Sequence, residues 1–271
     1  MNGPIAQIVA LACHGNASLR GVAKGTQFFP DNSTCQFCDR VDFVELRRGL
    51  LGRRLKENCV ADTPDDWFRL LREQGSTGLW LDYSASGDRL DDRLSAGFVG
   101  GGGHWSINVF SDTASRWLAR WEVWNQDAPE RRIWRVTYGR VEQGRRVQSH
   151  DSLDLGLASE RLEEALGQIA PFARRRNCDG FAECFDSAHG ILTASAECEV
   201  YHRDLAPEGV LTPAADRILA ACQKAWVFGG MGSWNDMMFD GEEQDEYERV
   251  SDLLFKATTS AIVAAANSSL E

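Results

Sequence analysis

GFVGGGGHWSINVF (97–110), RWLARWEVW (116–124) and RRIWRVTYGRV (131–141) follow one another with only short spacers between them. Each run alternates apolar and polar residues or is dense in β-formers. The spacers, Ser111-Asp112-Thr113 and Asn125-Gln126-Asp127-Ala128-Pro129, are turn-like, so the three runs predict an antiparallel meander. Ile5–Cys13, Arg40–Leu46 and Gly78–Tyr83 read as further strands on the same grounds. One helix breaks the series. Thr63 offers an N-cap hydroxyl, Pro64 stands at the first helical position, and Asp65 and Asp66 occupy the first turn; Trp67, Leu70 and Leu71 then share a face.

Past about residue 155 the apolar period becomes helical. A helix is expected over 159–176, with Leu162, Ala165, Leu166, Ile169 and Phe172 in one stripe and Pro171 as a candidate kink. Others are expected near Phe181–His189, from Thr212-Pro213 through Cys222, and from Gly241 to Asn267. The fold class is therefore α+β: residues 1–155 mostly antiparallel β, meander-rich with one helix, and residues 156–271 mostly helical. The seam near 150–158 is modest, so two domains and one continuous α+β domain both fit.

Composition narrows the function classes. The chain has 271 residues, 43% hydrophobic and 25% charged, which is globular composition. Its longest apolar runs, at 8–13 and 261–266, fall well short of the roughly 20 residues that span a bilayer. The first residues lack the basic region and cleavage site of a signal peptide, so a cytoplasmic location and no membrane partner are expected. The eight cysteines accordingly read as reduced thiols. Charge is divided unevenly. Residues 1–155 carry 20 acidic and 20 basic side chains, whereas 156–271 carry 20 acidic and 9 basic, so the whole net charge of −11 belongs to the second part. Such a field repels nucleic acid and attracts basic partners, and it also serves solubility.

Several constellations invite chemistry. Cys35-Gln36-Phe37-Cys38 is a CxxC, but no second pair completes a zinc site and it precedes a strand rather than opening a helix. Buried or half-buried thiols are the expectation, with a functional role for Cys35 and Cys38 left open. Cys178, Cys184 and Cys198 with His189 and His202 form a looser group, set in an acidic region that disfavours a thiolate. Gly100–Gly103 lacks the Lys-Ser/Thr of a phosphate loop and a following helix, so it reads as a turn or bulge beside His104. Trp117 and Trp121 fall on one strand face, opposite Arg116, Arg120 and Trp124. A single-stranded nucleic-acid platform would place such aromatics in a basic groove, but the first part is neutral. A core-facing sheet with an Arg-rich outer face fits better. No motif implies a cofactor or a metal; the EF-hand spacing is absent.

The last feature is VFGGMGSWND (227–236), a Gly-rich loop presenting Trp234, Asn235 and Asp236. Counting from Asp236, seven acids fall within thirteen residues, among them Asp240, Glu242, Glu243, Asp245 and Glu246. Acids in a helix's first turn complement its dipole, and this run exceeds that need. An aromatic ringed by carboxylates suits a hot spot with steering charges. The segment resembles uncharacterised bacterial proteins, some of immunity-protein type. The lopsided charge, this loop and the lack of a catalytic constellation lead to the expectation of a non-enzymatic binding protein, of the immunity or inhibitor type to which the resemblance points, that docks a basic partner through Trp234, Asn235, Asp236, Asp240, Glu242, Glu243, Asp245 and Glu246. The alternative is a hydrolase or transferase with a site near Gly100–His104 or at the Cys178–His202 group.

Overall fold

The computed structural model describes residues 1–22, 27–48, 55–87, 91–145, 154–195 and 199–271. Its strands are β1 (Cys38–Arg48), β2 (Leu55–Ala61), β3 (Gly78–Ser84), β4 (His104–Phe110), β5 (Ala114–Val123) and β6 (Trp134–Arg145). Its helices are α1 (Gly3–Leu19), α2 (Pro64–Glu73), the single turn α3 (Asp92–Ser95), α4 (Leu155–Arg175), α5 (Asp179–Leu192), α6 (Pro213–Ala225) and α7 (Glu242–Asn267). The expected seam at 150–158 lies partly outside the described residues. No helix among the described residues is long and apolar enough to cross a membrane.

The strands make one sheet in the order β2-β1-β6-β5-β4-β3. From β4 to β6 it is the antiparallel meander expected from the alternation, and β3 adds to it antiparallel beside β4. The hairpin partner β1, however, lies parallel to β6, so the sheet is mixed. Alternation decides which residues face the core and carries no information about strand direction. The run expected as a strand from Gly97 becomes one only at His104. β2 escaped the sequence reading because LKENCVA has no clean period of two.

One sheet face is apolar: Val41, Phe43, Leu79, Leu81, Ile107, Trp117, Val136 and Tyr138 are all buried on it. The other carries arginines tied to carboxylates. Arg40 meets Asp42 at 3.2 Å and Asp62 at 2.8 Å, Arg120 meets Glu57 at 2.6 Å and Glu122 at 3.0 Å, and Arg135 meets Asp39 at 2.9 Å. Trp124 lies beneath the Arg135 guanidinium, 3.2 Å from ring centroid to Cζ.

α1 overturns the strand expected at Ile5–Cys13. Asn2 caps it by accepting from the Ile5 amide, and Pro4 sits in its first turn. It is buried on nearly every side, touching α2, β3, β4 and α7. A helix surrounded by core has no polar face, so its apolar residues show no period of 3.6. The other helices match expectation more closely: Thr63 caps α2, Thr212 caps α6, and Pro171 lies inside α4. α4, α5, α6 and α7 pack together, and the second half of α7 runs on to meet β3 and α1. Buried side chains from both parts join in one contiguous cluster.

The free edge of β3 is closed by two amides. Asn16 accepts from the Leu79 N–H at 2.7 Å and donates to the Leu79 carbonyl at 2.9 Å. Asn267 does the same for Leu81, at 2.7 and 2.8 Å. Each side chain thus imitates a neighbouring strand, one from α1 and one from the last turn of α7.

Candidate functional site

Loop 227–240 connects α6 to α7 and is held from within. Trp234 opens a short 3-10 turn (Trp234–Asp236), and its amide donates to the Val227 carbonyl at 3.2 Å. The indole N–H donates to the Ser251 hydroxyl at 2.7 Å, and the Tyr247 hydroxyl donates to the Trp234 carbonyl at 2.7 Å. The rings of Phe181, Phe185 and Tyr247 lie 5.1–5.4 Å from the indole. Trp234 is 0% exposed. The expectation that it anchors a partner is therefore corrected: it is the core plug of the loop, because α4, α5 and α7 supply more apolar wall than the loop can leave wet.

The remaining expected residues divide into two groups. Asn235 is half-buried, donating to the Arg93 carbonyl at 2.9 Å, while buried Arg93 also reaches Asp252 at 2.7 Å. Glu243 pairs with Arg176, and Glu246 with Arg175 at 2.7 Å, which ties the start of α7 to the end of α4. These three residues brace the loop. Asp236, Asp240, Glu242 and Asp245 are exposed, and none has an ion-pair partner among the described residues. Asp236 accepts from the Gly232 amide. Standing among them, Met231 is 101% and Met238 87% exposed. Sequence reasoning passed over both methionines, since nothing local marks a methionine as exposed.

Among the described residues, the other candidates are not brought together as a reactive centre. Cys35 and Cys38 are buried, and the buried Gln7 amide donates to both sulfurs, at 3.8 and 3.5 Å, and to the Thr34 carbonyl at 3.2 Å. Tyr138 donates to the same amide's oxygen at 3.1 Å. Burial pushes the Cys35 thiol well up and the Cys38 thiol to about 11, so neither is a thiolate at neutral pH. Alkylation with iodoacetamide at neutral pH is expected to leave both unmodified in the folded protein while exposed Cys59 reacts. In urea all three should react; labelling of the pair without unfolding contradicts the buried placement.

Cys178 donates to the Arg176 carbonyl at 3.5 Å, His189 faces Glu163 at 3.6 Å, and Cys198 lies outside the described residues. No Cys–His pair stands at hydrogen-bond distance among the described residues. His202 instead meets the Ser33 hydroxyl through Nδ1 at 2.8 Å. Ser33 donates in turn to Asp204, which also accepts from the Ser33 amide at 2.7 Å. A hydrolytic triad needs the imidazole between serine and carboxylate. Here serine is in the middle, its proton held by the carboxylate, so Nδ1 donates to it. The arrangement clips segment 199–206 to the turn at 33–35. No three His, Cys, Asp or Glu side chains among the described residues are grouped to hold a metal ion.

Gly100–Gly103 forms a turn, with φ of +82°, +81° and +81° at Gly100, Gly102 and Gly103. It borders an apolar cleft of two lobes that share Pro4, Val99 and Trp121. One lobe, about 330 Å³, is lined by Phe98, His104 and Trp105; the other, about 350 Å³, by Phe37, Trp134, Tyr201 and His202. His104 is exposed at its border, with no nucleophile or carboxylate bonded to it among the described residues. No protein-family model matches this chain, and neither curated proteins nor solved structures offer a match to it.

Proposed function

We propose that this chain is a non-enzymatic binding protein, of immunity or inhibitor type, that docks a basic protein through the surface around loop 227–240. The observation that carries the reading is the pair of exposed methionines, Met231 and Met238, on a loop braced by buried Trp234 and flanked by four exposed carboxylates. Methionine is enriched at the centre of interfaces and adapts its shape to a partner. A loop already ordered before binding loses little further entropy on docking. The unpaired Asp236, Asp240, Glu242 and Asp245 supply long-range attraction for a cationic surface.

The test is affinity capture from the organism that makes the protein, at low and at high salt, using the wild type and a D236N/D240N/E242Q/D245N variant. A basic protein retained by the wild type at low salt should be captured less at high salt. Neutralising the four acids should lower its association rate by about 10–100-fold at low salt, with the dissociation rate changed far less. Equal association rates for the two proteins would remove the steering role of this surface.

A further inference from the structure

The second lobe of the cleft contains a hydrogen-bond acceptor with nothing to bond. Pro4, Phe37, Val99, Trp121, Trp134 and Tyr201 give the lobe apolar and aromatic walls, and His202 stands among them. Its hydroxyls are engaged within the protein. Thr34 donates to the Asn32 side chain at 2.5 Å, Tyr201 donates to Gln36 at 2.5 Å, and Ser33 bonds both Asp204 and His202. The indole N–H of Trp121 is unpartnered but buried in the wall. His202 is 7% exposed, and its Nε2 has no partner among the described residues.

The chemistry of that nitrogen is fixed by what lies behind it. Asp204 accepts from the Ser33 amide at 2.7 Å and from the Ser33 hydroxyl, which uses the only proton the serine has to give. The 2.8 Å contact between Ser33 and His202 must then carry the proton of Nδ1. A neutral imidazole protonated at Nδ1 leaves Nε2 a bare lone pair. Burial pushes the imidazole pKa down to about 4, so the ring is neutral at ordinary pH. The Asp204 segment is itself held, its carbonyl accepting from the Asn32 amide at 2.8 Å. Nε2 is thus a positioned acceptor that cannot donate.

Such a lobe selects by hydrogen bonding as well as by shape. No Lys, Arg, Asp or Glu side chain lines it among the described residues, so a charged occupant would shed its hydration without a counter-charge. A carboxylate would also set its lone pairs against that of Nε2. An aromatic hydroxyl does the opposite: its proton meets Nε2 and its ring packs on the aromatic walls. The volume of about 350 Å³ accommodates a small ring compound.

We propose that this lobe binds a small neutral aromatic compound of the phenol class, its hydroxyl donating to His202 Nε2 and its ring lying against Trp121 and Trp134. The site is separate from the acidic loop, and neither reading depends on the other. His202 also borders a neighbouring pocket lined by Arg203, Glu208 and Asp216, so the test must show which side the ring occupies.

Phenol, toluene and benzoate are titrated into the whole protein, with the histidine ring nitrogens read by nitrogen-15 NMR. In the free protein His202 should show Nδ1 protonated and Nε2 bare. Phenol should bind about 3–10-fold more tightly than toluene, the contribution of one neutral hydrogen bond, although toluene leaves water more readily. Phenol should also shift the His202 Nε2 resonance and give NOEs to Trp121 and Trp134, and benzoate should do neither. His202→Phe keeps a ring but no lone pair and should reverse the order of phenol and toluene. Ser33→Ala releases the tautomer and should lower the advantage of phenol, which carries the test if His202→Phe does not fold. A His202 protonated at Nε2, toluene binding as well as phenol, or no binding of phenol would overturn the proposal. An advantage of phenol that survives both variants would do the same, as would NOEs to Leu219 and Ala220, which place the ring in the neighbouring pocket.

Discussion

Asn267→Ala is expected to cost about 3–5 kcal/mol of folding stability, with a similar loss for Asn16→Ala, because each leaves a buried N–H and a buried carbonyl of β3 without a partner. Both asparagines are buried, at 1% and 5% exposure, so water cannot replace the missing amide without a rearrangement. Losses of that size approach the whole stability of many domains. The double variant should therefore fail to accumulate as folded protein. Asn267→Asp should be no better, since its carboxylate would face the Leu81 carbonyl with no proton to donate. Urea unfolding checks this: the midpoint should fall with an unchanged slope. A change within about 0.5 kcal/mol, the range of ordinary surface substitutions, would mean that the two amides do not close the edge. An uncovered β3 would also offer its free edge to other chains, so aggregation of the single variants on warming is the expected companion effect.

These two asparagines also mark what could be read in the sequence and what could not. Where an element has one wet face, as β5 with buried Trp117 and ion-paired Arg120, the apolar period gave both its type and its orientation. The capped helices α2 and α6 were legible from Thr63-Pro64 and Thr212-Pro213, since capping is local chemistry. α1 was not. Its polar residues Gln7 and Asn16 are inside, serving Cys35, Cys38 and β3, and so interrupt an apolar run without marking a surface. The parallel pairing of β1 with β6 joins residues about ninety-five apart, as in Asp42 with Thr137, and no local pattern encodes it. At the candidate site, the acidity and the rigid glycine loop were legible. The fate of Trp234 was not, because Phe172, Phe181, Phe185 and Tyr247 enclose it from three helices. The count of aromatics in the helical part was the one available hint that a buried aromatic centre had to exist somewhere.

Trp234 and the methionines beside it should therefore respond to substitution in opposite ways. Trp234→Ala removes a fully buried indole and is expected to cost about 3–5 kcal/mol, the usual penalty for such a cavity. Trp234→Phe keeps most of the ring packing but leaves the Ser251 hydroxyl, itself buried, without its donor, a loss of about 1–3 kcal/mol. In that variant the backbone amides of 229–236 should exchange with solvent faster, since the bonds from Trp234 and Tyr247 anchor that stretch. A Met231→Ala/Met238→Ala double variant touches only exposed side chains, so its urea midpoint should stay within about 0.5 kcal/mol of wild type. Capture of the basic partner should nonetheless fall about tenfold or more, as for an anchor side chain at an interface. The measurements are urea unfolding and retention of the captured partner for all three proteins. If the methionine variant binds as the wild type does and Trp234→Phe loses binding with its stability intact, the indole reaches the partner directly and the loop must open to expose it. If stability and binding separate as described, the buried tryptophan organises the surface and the methionines make it.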